Sequence, residues 1–250
     1  AQVDGALTPD GRMGWLAGVL NELEADMLVL PELFACGYNI GAAVRDRAEP
    51  ANGPMAQQIA RLARGAGIAV HYGYAEAVDN VIYNAAQCFG PDGQCLGHHR
   101  KLAIPPGIEE THFTAGSGCS VFEYRGLRFG MLICYDVEFP ETVRHVAELG
   151  AQVVLAPTAL GAQWGWVAQT LVPARGFENG VYLAYANSAG TENGLAFLGQ
   201  SFIGAPDGTV LARAGAQAEV IVAQIDPDRV AAAQARLPYL RDVAGVIARL

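Results

Sequence analysis

Short apolar runs alternate with segments of helical period along the whole 250-residue chain, and this alternation limits the possible folds more than any other feature. MLVLPE, AQVVLAPT and VYLAYANSA read as buried strands, as do IAVHYGYAE and AEVIVAQID. Between them, DGRMGWLAGVLNELEAD sets Met13, Leu16, Val19, Leu20 and Leu23 at helical spacing. PMAQQIARLARGAG turns Met55, Ile59 and Leu62 inward and stops near Gly65 or Gly67. PETVRHVAELG opens a helix on Pro140, and DPDRVAAAQARL opens one on the cap Asp226 with Pro227 behind it. WGWVAQTLVPARGFENG is also helical in pattern, with Pro173 expected to kink or interrupt it. The opening AQV reads as the tail of a strand.

Three segments are hairpins. One turns at the Pro-Asp-Gly of Pro91–Gly93, one at Arg125-Gly126, and one at the second Pro-Asp-Gly, Pro206–Gly208. The two Pro-Asp-Gly hairpins lie in similar strand contexts, a hint of a duplicated arrangement. Hairpins require antiparallel neighbours, so the sheets are expected to be mixed. AIPPGIEETHFTAGSG reads as a loop. No linker or low-complexity stretch divides the sequence, which predicts one α/β domain over residues 1–250.

Composition narrows the function. Charged residues make up 16% of the chain, below the usual roughly one quarter, which points to surface buried in a homodimer or higher homo-oligomer. The formal net charge is -9 and no Lys/Arg cluster is present, so nucleic acid is a poor partner and a cationic small molecule a better one. The 5 cysteines are odd in number and none form a C-x-x-C pair, which argues against a disulfide framework or a zinc knuckle. Reduced thiols and the lack of a signal-peptide pattern predict a cytoplasmic protein. The apolar runs are far shorter than the about 20 residues of a membrane span.

Polar residues that finish buried strands are the informative ones, because sites in open α/β sheets form at the carboxyl ends of strands. Glu32 finishes MLVLPE, Lys101 finishes GHHRKL and Cys134 finishes GMLICYD. Each has an ordinary reading: a turn cap, an exposed strand end, a small core residue. Together they supply the base, the cation and the nucleophile that acyl transfer requires. Cys36, Cys88, Cys95 and Cys119 read as structural. Consecutive His98 and His99 point to opposite faces of one strand and so cannot share a metal.

Four segments carry a resemblance to the nitrilase superfamily, the carbon–nitrogen hydrolases: PELFACGYN; HRKL followed by EETHFTAG; ICYDVEFPE; and APTA leading to ARGFENGVYLAYAN. The resemblance implies a four-layer αββα sandwich with two mixed sheets, dimerisation, and a Glu-Lys-Cys triad at Glu32, Lys101 and Cys134. It also implies a second glutamate at Glu109 or Glu110; spacing to Gly116 favours Glu109. The implied chemistry is amide hydrolysis through a thioester on Cys134. Glu32 is the proton carrier, the Lys101 ammonium and the Tyr135 backbone N–H receive the oxyanion, and no metal or organic cofactor takes part.

CGYNIG, YGYAE, IYN, GQSFIGAPDG and LPYLRD resemble the aliphatic amidase branch acting on ω-amino amides, such as 5-aminopentanamidase. Members that hydrolyse N-carbamoyl amino acids carry arginines near the position of Glu138; a glutamate there favours an ammonium group on the substrate. The ordinary alternative is an ion pair between Glu138 and Arg175. Tyr38, Leu160, Trp164 and Trp166 are further candidate substrate contacts. Leu160 stands where the branch usually has Asn, and Pro173 where it has Arg; these departures leave the exact substrate open, more than the reaction. A nitrilase and an N-carbamoyl amine hydrolase use the same triad. A non-catalytic scaffold on this fold would be expected to have lost part of it.

Overall fold

The computed structural model describes residues 1–250. In chain order, β1 (Val3–Asp4) leads to α1 (Pro9–Glu22), β2 (Met27–Val29), α2 (Val44–Arg47), α3 (Pro54–Ala66), β3 (Ala69–Val78), β4 (Val81–Phe89) and β5 (Cys95–Arg100). Then come β6 (Ser120–Tyr124), β7 (Leu127–Met131), a 3-10 turn over Cys134–Glu138, α4 (Pro140–Glu148) and β8 (Val153–Thr158). A π-turn at Val167–Leu171 runs into α5 (Val172–Asn179), followed by β9 (Tyr182–Ala189), β10 (Thr191–Glu192), β11 (Leu195–Ala196), β12 (Phe202–Gly204), β13 (Val210–Arg213), α6 (Pro227–Arg236) and α7 (Tyr239–Ile247).

Two mixed sheets result. One runs β2-β3-β4-β5; the other runs β13-β12-β9-β8-β7-β6 with β1 on β9. Period-2 alternation gives each sheet two apolar faces. On β3, Val70 and Tyr72 meet Met13, Leu16, Ile59 and Ala63 of α1 and α3. On β8, Val154 and Ala156 meet Val143 and Val146 of α4 and Val172 of α5. The opposite faces, with Ala69, Ala86 and Cys88 from one sheet and Met131, Val153 and Leu155 from the other, pack between the sheets. Three apolar layers therefore hold the order helix, sheet, sheet, helix, as expected.

Local signals explain the boundaries. Gly67, in the left-handed region at φ 70, ends α3. Asp92 Oδ1 accepts from the Gln94 amide, and Asp207 Oδ1 accepts from the Thr209 amide, so both Pro-Asp-Gly turns close in the same way, each on an edge hairpin of its sheet. Pro173 has no N–H to give to the preceding turn; the wider π-turn before it accommodates this without breaking the helical path.

Three expectations need correction. AEVIVAQID is not a strand: Glu219 bridges Gln2, but Val220–Ile225 form no backbone hydrogen bonds, because no neighbouring strand lies alongside them. Glu32 is three residues past β2, since Pro31 cannot extend the ladder. Cys134 likewise lies beyond β7 and opens the 3-10 turn. In addition, Cys95 is exposed rather than packed.

Candidate active site

Each chemical residue follows a strand but is held by a different device. The Glu32 turn lies directly on β3: the Ala35 amide donates to the Gly73 carbonyl at 3.0 Å. A Cβ on Gly73 would come within 2.4 Å of the Leu33 nitrogen, so only glycine allows this approach. Lys101 prolongs β5 by one residue, with its amide on the Asn84 carbonyl at 2.8 Å and its carbonyl receiving the Gly116 amide at 2.7 Å. Cys134 takes φ 46, a left-handed conformation costly for a residue with a Cβ and kept only where its surroundings enforce it.

These devices bring the side chains together. The Lys101 ammonium donates to Glu32 Oε1 at 2.6 Å and to Glu109 Oε1 at 2.5 Å. Glu32, Lys101, Glu109 and Cys134 are all buried. Asn84 Nδ2 donates to Glu32 Oε1 at 2.7 Å and to Glu109 Oε2 at 3.0 Å, and the Tyr38 hydroxyl donates to Glu109 Oε1 at 2.9 Å. Glu32 Oε2 has no partner. The second glutamate in contact with Lys101 is Glu109; Glu110 is exposed and caps the Gly107 amide.

Burial dominates the electrostatics. It raises the Glu32 carboxyl to about 7, with the Lys101 ammonium pulling it down and Glu109 pushing it up. Burial would lower the Lys101 ammonium, but Glu32 and Glu109 outweigh it and hold the charge. The Cys134 thiol is pushed well above its ordinary value by burial and by Glu32, so the resting group is a thiol. The Tyr135 N–H has no backbone or side-chain acceptor.

The remaining candidates lie in different settings. Burial raises the Glu138 carboxyl, while Lys101 and Arg175 lower it. Arg175 does not pair with that carboxylate: it donates to the Glu138 carbonyl oxygen at 2.9 Å and to the Glu178 carboxylate at 3.0 Å. Leu160 is buried in the core layer with Val137 and Val172, and its amide donates to Asn187 Oδ1 at 2.7 Å. Trp164 and Trp166 are 56% and 66% exposed, so they do not pack the helix behind them. An apolar cavity of about 620 Å³ lies between β2, the second sheet and Val220–Ile225, and none of Glu32, Lys101, Glu109 or Cys134 lines it. No cluster of three or more His, Cys, Asp or Glu side chains is arranged to hold a metal ion, and no helix is long and apolar enough to cross a membrane.

Asn84 was not singled out by sequence reasoning. Its signal was present: an amide in the middle of the apolar strand VIYNAAQCF needs a buried polar partner.

The model of the carbon-nitrogen hydrolase family matches residues 12–235. A protein from Pseudomonas protegens described as "Hydrolase in pqqF 5'region" is 44% identical over 222 residues, 88% of this chain and 78% of that one. An (R)-stereoselective amidase from Pseudomonas sp is 36% identical over 220 residues, 88% and 80% of the two chains. Among solved structures, a cysteine-to-alanine mutant of the Nesterenkonia AN1 amidase from the nitrilase superfamily superposes with a TM-score of 0.87 at 30% identity, covering 99% of this chain and 93% of that one. Another mutant of that amidase carries the acetamide moiety of fluoroacetamide on its active-site cysteine.

Proposed function

The chain belongs to the carbon–nitrogen hydrolase family, and we propose that it is a cysteine-dependent amidase converting a small linear amide to a carboxylic acid and ammonia. The observation that carries this reading is the buried cluster itself: a lysine held between two glutamates beside a buried cysteine, with one Glu32 oxygen unpartnered.

Glu32 Oε2 takes the thiol proton as the Cys134 sulfur bonds to the amide carbon. The carbonyl oxygen becomes an oxyanion between the Lys101 ammonium and the Tyr135 N–H; donors of this kind are worth about 2.7–4 kcal/mol each when removed. As the C–N bond breaks, Glu32 gives the proton to the departing nitrogen and ammonia leaves a thioester on Cys134. Water then attacks the thioester and loses a proton to Glu32, the C–S bond breaks, and the proton returns to sulfur. Glu109, braced by Tyr38 and Asn84, keeps Lys101 in place.

Glu138 supports a cationic substrate such as an ω-amino amide. Its carboxylate senses the Lys101 charge and is not neutralised by an Arg175 ion pair. The exposed Trp164 and Trp166 offer faces over which a cation can rest. The exposed apolar side chains Leu149, Phe177, Tyr239, Val246 and Ile247 on and after α4, α5 and α7 support a homodimer or higher homo-oligomer, which sedimentation would read directly.

The test is ammonia release from a panel: 5-aminopentanamide, 4-aminobutanamide, uncharged aliphatic amides, anionic glutaramate-type amides, nitriles and N-carbamoyl amines. The expected result is turnover of linear amides, with cationic members favoured and the preference reduced in Glu138→Gln. Equal losses on neutral and cationic amides would remove the ammonium role. Ammonia from nitriles alone, or ammonia with carbon dioxide from carbamoyl compounds, would replace the amidase reading.

A further inference from the structure

Asp136 belongs to no step of the reaction above, yet it is fully buried beside both halves of the site. Its Oδ1 accepts from the amides of Leu102 at 2.9 Å and Ala103 at 2.8 Å. Its Oδ2 accepts from the Ile133 amide at 3.0 Å and lies 3.2 Å from His99 Nε2. An ionised carboxylate has about four lone-pair sites, and all are used here. The partners are not scattered. Leu102 and Ala103 directly follow Lys101, His99 lies two residues before it, and Ile133 directly precedes Cys134. One carboxylate thus joins the exit of β5 in the first sheet to the entry of the nucleophile turn in the second.

We propose that Asp136 is a positioning residue that sets the separation of the Cys134 thiol and the Lys101 ammonium, with His99 as the donor that orients it. The inference rests on the amidase reading for its meaning, but not for its geometry. Cys134 is held in a left-handed conformation, and such a residue needs its flanks fixed. Without the tie, the turn is free to relax away from Lys101. A carboxylate suits the task because every partner is a donor. An amide would present its NH2 to at least one N–H. His99 Nε2 faces Asp136, and its buried Nδ1 has no hydrogen-bond partner, so Nε2 is the one engaged ring nitrogen. His71, buried on β3, is kept neutral, with burial lowering it to about 3 and His99 adding to the shift.

The test compares wild type with Asp136→Asn, His99→Leu and His99→Gln. Gln keeps an N–H near the place of His Nε2, and Leu removes it. Three readouts are used: kcat and KM on an amide that wild type turns over, the rate of Cys134 carbamidomethylation by iodoacetamide mapped by peptide mass spectrometry, and hydrogen exchange at Leu102, Ala103 and Ile133. A displacement of about 1 Å costs about 100-fold in rate. The expected result is a kcat loss of that order in Asp136→Asn with KM little changed, slower alkylation of Cys134, faster exchange at the three amides, and the same pattern in His99→Leu with recovery in His99→Gln. Wild-type kcat and alkylation in Asp136→Asn would overturn the proposal. So would equal effects of Leu and Gln at position 99, which also serves if Asp136→Asn does not fold. Alkylation and exchange do not depend on turnover. If wild type releases no ammonia, the amidase reading falls while these two readouts still decide the role of Asp136.

Discussion

Glu32 holds a carboxyl raised to about 7, so near neutrality it is divided between acid and base forms. The proposed reaction starts from the base form. The acidic limb of kcat/KM is therefore expected to titrate near 7, and Glu32→Gln to abolish turnover. The same shift has a stability consequence. A carboxyl that holds its proton more tightly when folded stabilises the fold below its unfolded value of 4.5 and loses that contribution as the pH rises through about 7. Glu32→Gln should therefore be more stable than wild type above neutrality, by about 1–3 kcal/mol, and equal to it in acid. Denaturant melts at several pH values read this difference; a variant less stable at pH 8 would contradict it. Lys101 should behave oppositely. Lys101→Met leaves two buried carboxylates without their shared cation, and the loss is expected at about 3–5 kcal/mol.

At the level of elements, the site depends on close contacts between loops and strand backbones. Gly73→Ala puts a methyl group into the Glu32 turn, and Gly116→Ala puts one within 2.5 Å of the Arg100 carbonyl. Both neighbours are backbone and cannot rotate away. Each substitution should cost about 1–3 kcal/mol and reduce kcat more than an equally destabilising change elsewhere; activity falling only in step with stability would contradict this. These contacts also mark the limit of what the sequence reveals. The strands and helices were legible because period 2 and period 3.6 are local signals, and Glu32, Lys101 and Cys134 drew notice because they stand at or near strand ends within the motifs that carry the family resemblance. Glu109 was separable from Glu110 through spacing. Asn84 reaches Glu32 across 52 positions, and Asp136 reaches Leu102 across 34, so neither partnership is written locally. AEVIVAQID has a strand's composition, but a strand also needs a neighbour, and composition does not report one.

For the whole molecule, the formal net charge of -9 sets a long-range field that favours an approaching cation. If the substrate is an ω-amino amide, kcat/KM should fall as salt shortens the Debye length toward about 8 Å at physiological strength, while kcat stays level. A neutral amide of the same length should show no such trend, and equal salt dependence for both would remove the steering role. The two-sheet architecture serves the chemistry in a simple way. Glu32 and Lys101 come from the end of one sheet and Cys134 from the end of the other, so the groups of the proposed mechanism meet only when the layers pack.

Cysteine catalysis is read most directly from the acyl-enzyme. Acid-quenched intact-mass spectra of wild type during turnover of an amide found in the ammonia screen should contain a species heavier by the acyl group, mapped to Cys134 and absent from Cys134→Ala, with ammonia released in step. Turnover that survives Cys134→Ala, or an adduct on Cys36, Cys88, Cys95 or Cys119 instead, would contradict it.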